Sequence, residues 1–390
     1  MEYTYEQITE GSTTIQVPKI VNRMGLNDEQ ARSRAPVFYN PVMKLNRDSA
    51  VLALRAFQDQ AERNITAVEP MCGTGIRSIR LAKEVPGMEN IILGDLNPSA
   101  IRLADRNIAL NKVQGICTTR FMEANLLLSL HARPLYRFDY VDIDPYGSPV
   151  PFLDSAVRAC RKNGMIALTA TDMAPLCGVN VKACIRKYGG RPLRTAYCHE
   201  QAIRLLAGAL ATAASKHEAA TYPVFSYVSD HYVRLYARME RGAKTADRCL
   251  SNIGYIKHCH TCQYHEASRH ESKDVCPVCG SEMIAAGPLL IGDIADSDFS
   301  RSMLSLSGDS NVEYRLLNII ERVTEEIEYT PGFYDLDMFC SKMGLVSKSL
   351  DKTLRVLAEL GFMACKVHSS SRGFKTDALP SDVEEALRRL

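Results

Sequence analysis

From about residue 48 to residue 170 the chain alternates short apolar runs with amphipathic stretches. Residues 65–68, 90–93, 115–121, 138–143 and 165–170 have the length and composition of strands. Residues 77–84, 97–110, 123–131 and 152–161 repeat their apolar positions at helical spacing. The second of these opens on Asn97-Pro98, asparagine at the cap and proline in the first turn. Strands alternating with helices predict right-handed βαβ units and a parallel sheet covered on both faces, an α/β fold. Two more strand-like runs follow at 221–228 and 231–239, and the charged turn Arg241-Gly242-Ala243-Lys244 then marks a domain boundary near 240. Toward the C-terminus the pattern changes to three helices, 314–327, 336–343 and 347–360, the last capped by Ser347 and ended by Gly361. Residues 362–367 and 373–375 read as a hairpin across Ser369-Ser370-Ser371, so this end has the pattern of a winged-helix-like α+β unit.

Composition narrows the class. A single core rarely grows past roughly 250–300 residues, so 390 residues predict two domains. With 46% hydrophobic residues there is ample material for a large core, and disorder is excluded. Net charge is only +2, so any contact with nucleic acid must use local positive charge. Residues 173–199 offer it: they contain no Asp or Glu but carry Lys182, Arg186, Lys187, Arg191 and Arg194. The stretch reads either as a solvated face or as a contact for RNA phosphates. Met1-Glu2-Tyr3-Thr4-Tyr5-Glu6 lacks the basic start of a leader, and no long uncharged apolar stretch follows, so neither a signal peptide nor a membrane span is expected. Nine scattered cysteines, Cys72, Cys117, Cys160, Cys177, Cys184, Cys198, Cys249, Cys340 and Cys365, read as free thiols in a reducing compartment, and a cytoplasmic enzyme is the expectation.

Four motifs carry chemistry. In Glu69-Pro70-Met71-Cys72-Gly73-Thr74-Gly75-Ile76-Arg77 a strand runs into a glycine turn and then a helix, so Gly73 and Gly75 let a ligand approach the backbone. Asp95 closes the next strand, 20 residues past Gly75, the offset of a carboxylate that binds ribose hydroxyls. A dinucleotide would need a third glycine where Ser78 stands, and Glu69 would repel its pyrophosphate. An acid at Glu69 suits a ligand with an ammonium and a sulfonium, leaving Arg77 free for the ligand's carboxylate; S-adenosylmethionine has that pattern. The second motif, Asp144-Pro145-Tyr146-Gly147, ends the strand at 138–143, where open α/β sheets place ligands. Asp-Pro-Tyr resembles the tetrapeptide of amino-group methyltransferases. Asp144 and the Pro145 carbonyl would hold the two N–H bonds of a base amine, turning its lone pair toward the methyl donor, while Tyr146 stacks on an extruded base.

The third motif is Cys259-x2-Cys262-x13-Cys276-x2-Cys279, with Pro277 and Gly280 shaping the second knuckle. Four thiolates at this spacing predict a closed tetrahedral structural zinc site and no catalytic metal, with His258, His260, His265 and His270 as neighbours rather than ligands. The fourth, Phe38-Tyr39-Asn40-Pro41-Val42-Met43-Lys44-Leu45-Asn46-Arg47-Asp48, sets aromatics beside basic residues, as in a nucleic-acid or cofactor lid. Its plainer reading is a loop leading into a helix that starts at Asn46 or Asp48.

Together these segments resemble the tRNA (guanine(26)-N(2))-dimethyltransferase family in its shorter, archaeal-like form, over most of the chain. The resemblance implies a Rossmann-like class I methyltransferase domain at 1–240, including the aromatic and basic segment 36–48. A smaller zinc-containing α+β domain at 241–390 would hold tRNA. It implies transfer of one or two methyl groups to the N2 amine of guanine 26. No obligate protein partner is evident in the sequence. It implies S-adenosylmethionine contacts from Arg47, Arg77, Asp95 and the Glu123-Ala124 pair, with Glu123 standing where relatives often carry Asp. Asp144 would accept the amine hydrogens, and Phe38 and Tyr146 would sandwich the guanine. Three readings compete: an rRNA or DNA amino-methyltransferase with the same tetrapeptide, a non-catalytic zinc-ribbon nucleic-acid binder, and a nicotinamide dehydrogenase, which Ser78 and Glu69 disfavour.

Overall fold

The structure, a computed structural model, describes residues 4–19, 34–272, 274–308 and 312–390. Met1 to Tyr3, at the start of the segment read for a leader, lie outside the described residues. A hairpin of β1 (Tyr5–Glu10) and β2 (Thr13–Pro18) comes first. Helix α1 (Lys44–Ala61) follows a short 3-10 turn, Pro41–Met43, that the Asn40 side chain caps by accepting from the Val42 N–H at 3.1 Å. The helix thus begins two residues ahead of the expected Asn46, because the capped turn has already set its backbone.

The alternating region then gives β3 (Ile65–Glu69), α2 (Ile76–Glu84), β4 (Met88–Asp95), α3 (Pro98–Leu110), β5 (Cys117–Phe121), α4 (Ala124–Leu130), β6 (Phe138–Ile143), α5 (Leu153–Ala159) and β7 (Cys160–Ala170). Asn97 caps α3 as predicted, accepting from the Ser99 N–H at 2.9 Å with Pro98 in the first turn. Helix α5 stops before the expected residue 161. At Cys160 the backbone turns extended, φ −85° and ψ 134°, and pairs with Phe138 in the sheet.

Next come α6 (Met173–Leu176), α7 (Val181–Tyr188), α8 (Cys198–Ser215), β8 (Ala219–Ser229) and β9 (Tyr232–Arg241). These strands complete a seven-stranded sheet of order β5-β4-β3-β6-β7-β9-β8. The first five strands are parallel, and β9 and β8 add an antiparallel edge. This is a mixed α/β, Rossmann-like fold. The strand order reverses between β3 and β6, which pair through Ala67–Tyr140 and Val68–Val141. Both strands point their carboxyl ends into that crevice, so Glu69 and the residues after Ile143 meet there.

Beyond 240 lie α9 (Ala243–Leu250) and a three-stranded antiparallel sheet of β10 (Ile253–His258), β11 (His265–Ser268) and β12 (Ile284–Leu290). Helices α10 (Ser297–Ser305) and α11 (Tyr314–Glu326) follow. The chain ends in β13 (Tyr334–Asp335), α12 (Leu336–Lys342), α13 (Leu350–Glu359), β14 (Ala364–Lys366), β15 (Gly373–Thr376) and α14 (Pro380–Arg388), with strand order β13-β15-β14. The expected hairpin is β14–β15. Ser349, not Ser347, occupies the cap position of α13; the Ser347 hydroxyl instead donates to Asp337 Oδ1 at 2.8 Å. Gly361 ends that helix at φ +91°, a left-handed conformation that favours glycine.

The core sits on both faces of the large sheet. One apolar cluster joins Val141, Leu168 and Leu206 to Ile256, Leu289 and Phe333; the other joins Leu52, Ile79 and Tyr236 to Phe299 and Ile320. The first part of the C-terminal half therefore shares the sheet's core, whereas Tyr334, Phe339, Leu357, Phe374 and Leu387 make a separate one. Among the described residues, no helix is long and apolar enough to cross a membrane.

Candidate active site

A cavity of about 620 Å³ opens at the crevice, over the ends of β3, β4 and β6. Phe38, Arg47, Glu69, Gly73, Arg77, Asp95, Asp144, Pro145 and Tyr146 all line it. Residues from four separate stretches of sequence thus meet at one site.

The turn after β3 is tight: Gly75 N–H donates to Cys72 O, and Cys72 N–H to Gly94 O, each at 2.8 Å. Gly73 and Gly75 hold φ of +53° and +78°. Gly75 does not line the cavity; a Cβ there would come within 3.2 Å of Ala104 and Leu93, so helix α3 and strand β4 require this glycine. Asp95 fixes the turn from beside it, accepting from Gly73 N–H at 2.9 Å and from Asn97 N–H at 2.8 Å. Glu123 and Ala124 are not lining residues; Glu123 caps α4, accepting from Leu126 N–H at 2.8 Å.

Arg77 is buried, and its guanidinium is shared among acids. It pairs with Asp144, lies 3.3 Å from Glu69 and 3.7 Å from Asp142, and donates to Asn46 Oδ1 at 2.8 Å. This departs from the expectation of a free Arg77: three carboxylates converge at the strand ends, and a buried cation there is drawn to them. Asp142 is held from its other side by Arg234 of β9, a fully buried arginine whose two Nη groups reach it at 2.9 and 2.7 Å. Burial alone would raise the Asp142 carboxyl; Arg234 and then Arg77 outweigh that and hold it below the usual range. Glu69 is left with the weakest support. Burial pushes it up to about 7 against the pull of Arg77, and the Ser78 hydroxyl donates to it at 2.6 Å. Among the described residues, Glu69, Asp142 and Asp144 pair with Arg77 and Arg234, three carboxylates to two guanidiniums, so the cavity floor favours a further positive charge.

Arg47 is also committed. Glu10 on β1 takes its Nε at 2.8 Å and its Nη2 at 2.5 Å, and Tyr39 lies over it and donates to the same carboxylate at 2.7 Å. Above the floor, Tyr146 is 70% exposed and meets Phe38 edge to face, with ring centroids 4.8 Å apart and planes at 68°. A base between two rings needs about 7 Å, two van der Waals layers, so the rings must part to admit one. The loop under Tyr146 is fixed to the end of β7: Thr171 Oγ1 accepts from Gly147 N–H at 2.8 Å, and Gly147 O accepts from Thr171 N–H at 2.9 Å.

The sequence reading missed Arg234, Thr171 and the β8–β9 turn, whose Asp230, His231 and Tyr232 line the same cavity. A charged residue between Val233 and Leu235 in an apolar run was the available signal for a buried ion pair.

The four cysteines lie together. Cys259 and Cys279 Sγ are 3.4 Å apart, Cys262 and Cys276 Sγ 3.5 Å, and all four fall within 4.8 Å of one another. Tetrahedral sulfurs about 2.3 Å from zinc stand about 3.8 Å apart, so the set fits that ion. Gln263 and Gly280, each directly after a knuckle's second cysteine, take φ of +67° and +73°. His258 and His265 are ring neighbours of Tyr197 rather than members of the sulfur cluster. On the basic stretch, Lys182, Arg186, Lys187, Arg191 and Arg194 are all exposed.

The comparisons with known proteins place the chain in a family. The family model for N2,N2-dimethylguanosine tRNA methyltransferase matches residues 11–388. The chain belongs to that family. A tRNA (guanine(26)-N(2))-dimethyltransferase of Methanothermobacter thermautotrophicus is 39% identical, with 98% of each chain covered. One of the same description from Methanopyrus kandleri is 38% identical, over 98% of this chain and 96% of its own. The solved complex of Trm1 from Pyrococcus horikoshii with S-adenosyl-L-methionine superposes with a TM-score of 0.84 at 30% identity, over 98% of this chain and 99% of that one. Membership of the N2,N2-dimethylguanosine tRNA methyltransferase family thus extends over both halves of the chain.

Proposed function

We propose that this protein methylates the exocyclic N2 amine of guanine 26 in tRNA, once or twice, with S-adenosylmethionine as donor. The observation that carries the reading is the excess of carboxylate over guanidinium at a cavity roofed by two aromatic rings. Glu69 would take the donor's ammonium, and Asp95 its ribose hydroxyls. Gly73 lets the backbone come close. Arg47, Arg77, Glu123 and Ala124 complete the proposed contacts; Arg47 and Arg77 would give up part of their present partnership to a carboxylate, and Glu123 would reach the adenine from its cap position. The donor supplies a methyl group on a positively charged sulfur.

The chain's own residues do the rest. Phe38 and Tyr146 part and stack on the flipped guanine, which restores the ring contact each loses. Asp144 and the Pro145 carbonyl accept the two amine hydrogens. The nitrogen lone pair, otherwise delocalised into the ring, is then aimed at the methyl carbon. As the N–C bond forms, the methyl–sulfur bond would break with its electron pair left on the sulfur, and the amine proton passes to Asp144 or to water beside it. Arg77, paired with Asp144, holds that carboxylate in place at the end of β6.

The region from 241 to 390 would act as the tRNA-holding domain, steadied by zinc in the Cys259, Cys262, Cys276 and Cys279 site, with the basic stretch adding phosphate contacts. The order α11-β13-α12-α13-β14-β15 supports a winged-helix-like end. Thirteen free cysteines fit work in the reducing cytoplasm.

Inosine at position 26 tests the reading, because it lacks only the N2 amine. The inosine transcript should compete with the guanine transcript at similar affinity and take no label at that position. Label at inosine 26, or loss of binding, would contradict it.

A further inference from the structure

Two of the nine scattered cysteines, Cys177 and Cys198, are only half-buried and lie apart from the four-cysteine zinc site. Cys177 closes α6, and Cys198 is the first residue of α8, an 18-residue helix. Their sulfurs and a ring nitrogen of His199 lie within 4.8 Å of one another, all three residues half-buried. The Cys177 thiol points at the Cys198 carbonyl oxygen, 3.8 Å away.

We propose that Cys177 and Cys198 form a redox-reactive dithiol, with Cys198 the nucleophilic thiolate and Cys177 the resolving thiol.

Several features favour a thiolate at Cys198. Its sulfur sits at the first turn of α8, where free N–H groups and the helix dipole stabilise negative charge. The Cys177 thiol is the first cause that lowers the Cys198 thiol, to about 7; burial opposes it, and the N–H groups of Cys198 and His199 and the charge of Arg194 add to it. Cys177 is pushed the other way, chiefly by its bond to Cys198, with burial and Cys184 adding, so the pair holds one proton on the resolving sulfur. His199 is kept toward its neutral form by burial and by His368.

The same surroundings argue against a second metal site. The stretch 173–199 contains no Asp or Glu, and Arg194 sits close, so the local field repels a cation and attracts an anion. Two of the three donors are also consecutive residues, whereas the zinc-site cysteines come as two separated pairs.

The chemistry balances with a hydroperoxide as oxidant. The Cys198 thiolate attacks the terminal peroxide oxygen, the O–O bond breaks, and the sulfur becomes a sulfenic acid while the leaving oxygen takes a proton to give water or an alcohol. The Cys177 sulfur then displaces hydroxide from that sulfenic acid, and its released proton makes a second water. The resulting bond would close a loop enclosing Lys182, Arg186, Lys187, Arg191 and Arg194, every basic residue of the stretch. The inference does not depend on the proposed methyl transfer.

The test uses the full chain with its four-cysteine site loaded with zinc. Iodoacetamide at pH 7 should alkylate Cys198 about tenfold faster than an ordinary exposed thiol, by the thiolate fraction. The rate should titrate with a midpoint near 7. Cys177→Ser should move that midpoint upward toward the ordinary thiol range. Hydrogen peroxide should remove two hydrogens from the parent and link the peptides bearing Cys177 and Cys198, reversibly by dithiothreitol. In Cys177→Ser it should leave a dimedone-trappable sulfenic acid at Cys198. Uniform slow alkylation, no linked peptide, or a second equivalent of zinc that protects Cys198 would each overturn the proposal.

Discussion

Arg234→Met tests whether the buried charge network holds the catalytic floor. Arg234 is fully buried; it grips both oxygens of Asp142 and also donates to Thr169 Oγ1 at 2.9 Å and to Tyr140 OH at 3.2 Å. Methionine fills much of the volume but leaves Asp142, 1% exposed, with Arg77 at 3.7 Å and the Tyr140 hydroxyl at 2.6 Å as its remaining support. Removing one partner of a buried pair costs about 3–5 kcal/mol, because the other charge stays desolvated. With a urea slope of about 3 kcal/mol/M, the unfolding midpoint should fall by roughly 1–1.5 M. The pH dependence follows from the sign of the Asp142 shift. A carboxyl held low in the folded state contributes stability above its unfolded value near 3.9, and loses it as pH falls through the lower folded value. Without Arg234 the folded value rises, so the gap between parent and variant should be widest at neutral pH and narrow toward pH 4. Arg77 should also be drawn to Asp142 and away from Asp144, lowering kcat more than donor affinity. Urea melts followed by circular dichroism at pH 7.5 and 4.5 provide the assay. A midpoint within about 0.3 M of the parent, or a gap that does not close on acidification, would refute the reasoning.

Other expectations follow from single residues. Asp144→Ala should cut methyl transfer by about 10²–10⁴-fold while donor binding by calorimetry stays close to the parent's, and near-normal turnover would remove Asp144 from the chemistry. Burial pushes Glu69 up to about 7, so donor affinity should weaken by about fivefold from pH 7 to pH 6 as the carboxylate is protonated, and Glu69→Gln should flatten that dependence. Phe38→Leu should cost about 1–3 kcal/mol in transition-state stabilisation with tRNA, read from kcat/KM, and leave donor affinity alone. Cys276→Ser should lower metal content and weaken tRNA binding; unchanged zinc and unchanged affinity would sink the structural-metal assignment.

The parallel half of the sheet was legible because β3, β4 and β7 carry apolar runs and the helices between the strands carry one apolar stripe. Asn97-Pro98 even fixed a helix start. Helix α8 escaped notice for the opposite reason: Ala202, Leu206, Ala207, Leu210 and Ala211 are buried on nearly every side, so no polar face marks the period. The site was legible where chemistry is local in sequence, as in Glu69 to Arg77 and Asp144 to Gly147. It was illegible where partners come from afar. Glu10, which holds Arg47, lies on a hairpin that the sequence reading did not anticipate. Arg234 meets Asp142 across 92 positions of chain. The commitment of Arg77 to acids on two different strands depends on sheet order, which no local pattern encodes.

The central claim is the reaction and its target base, and one experiment addresses both. Labelled S-adenosylmethionine is offered with an unmodified tRNA transcript and with the same transcript carrying adenine in place of guanine 26. The account predicts label in the first and none in the second. Equal label in both would overturn the assignment of the base, and no label in either, with tRNA still bound, would contradict the methyl transfer itself.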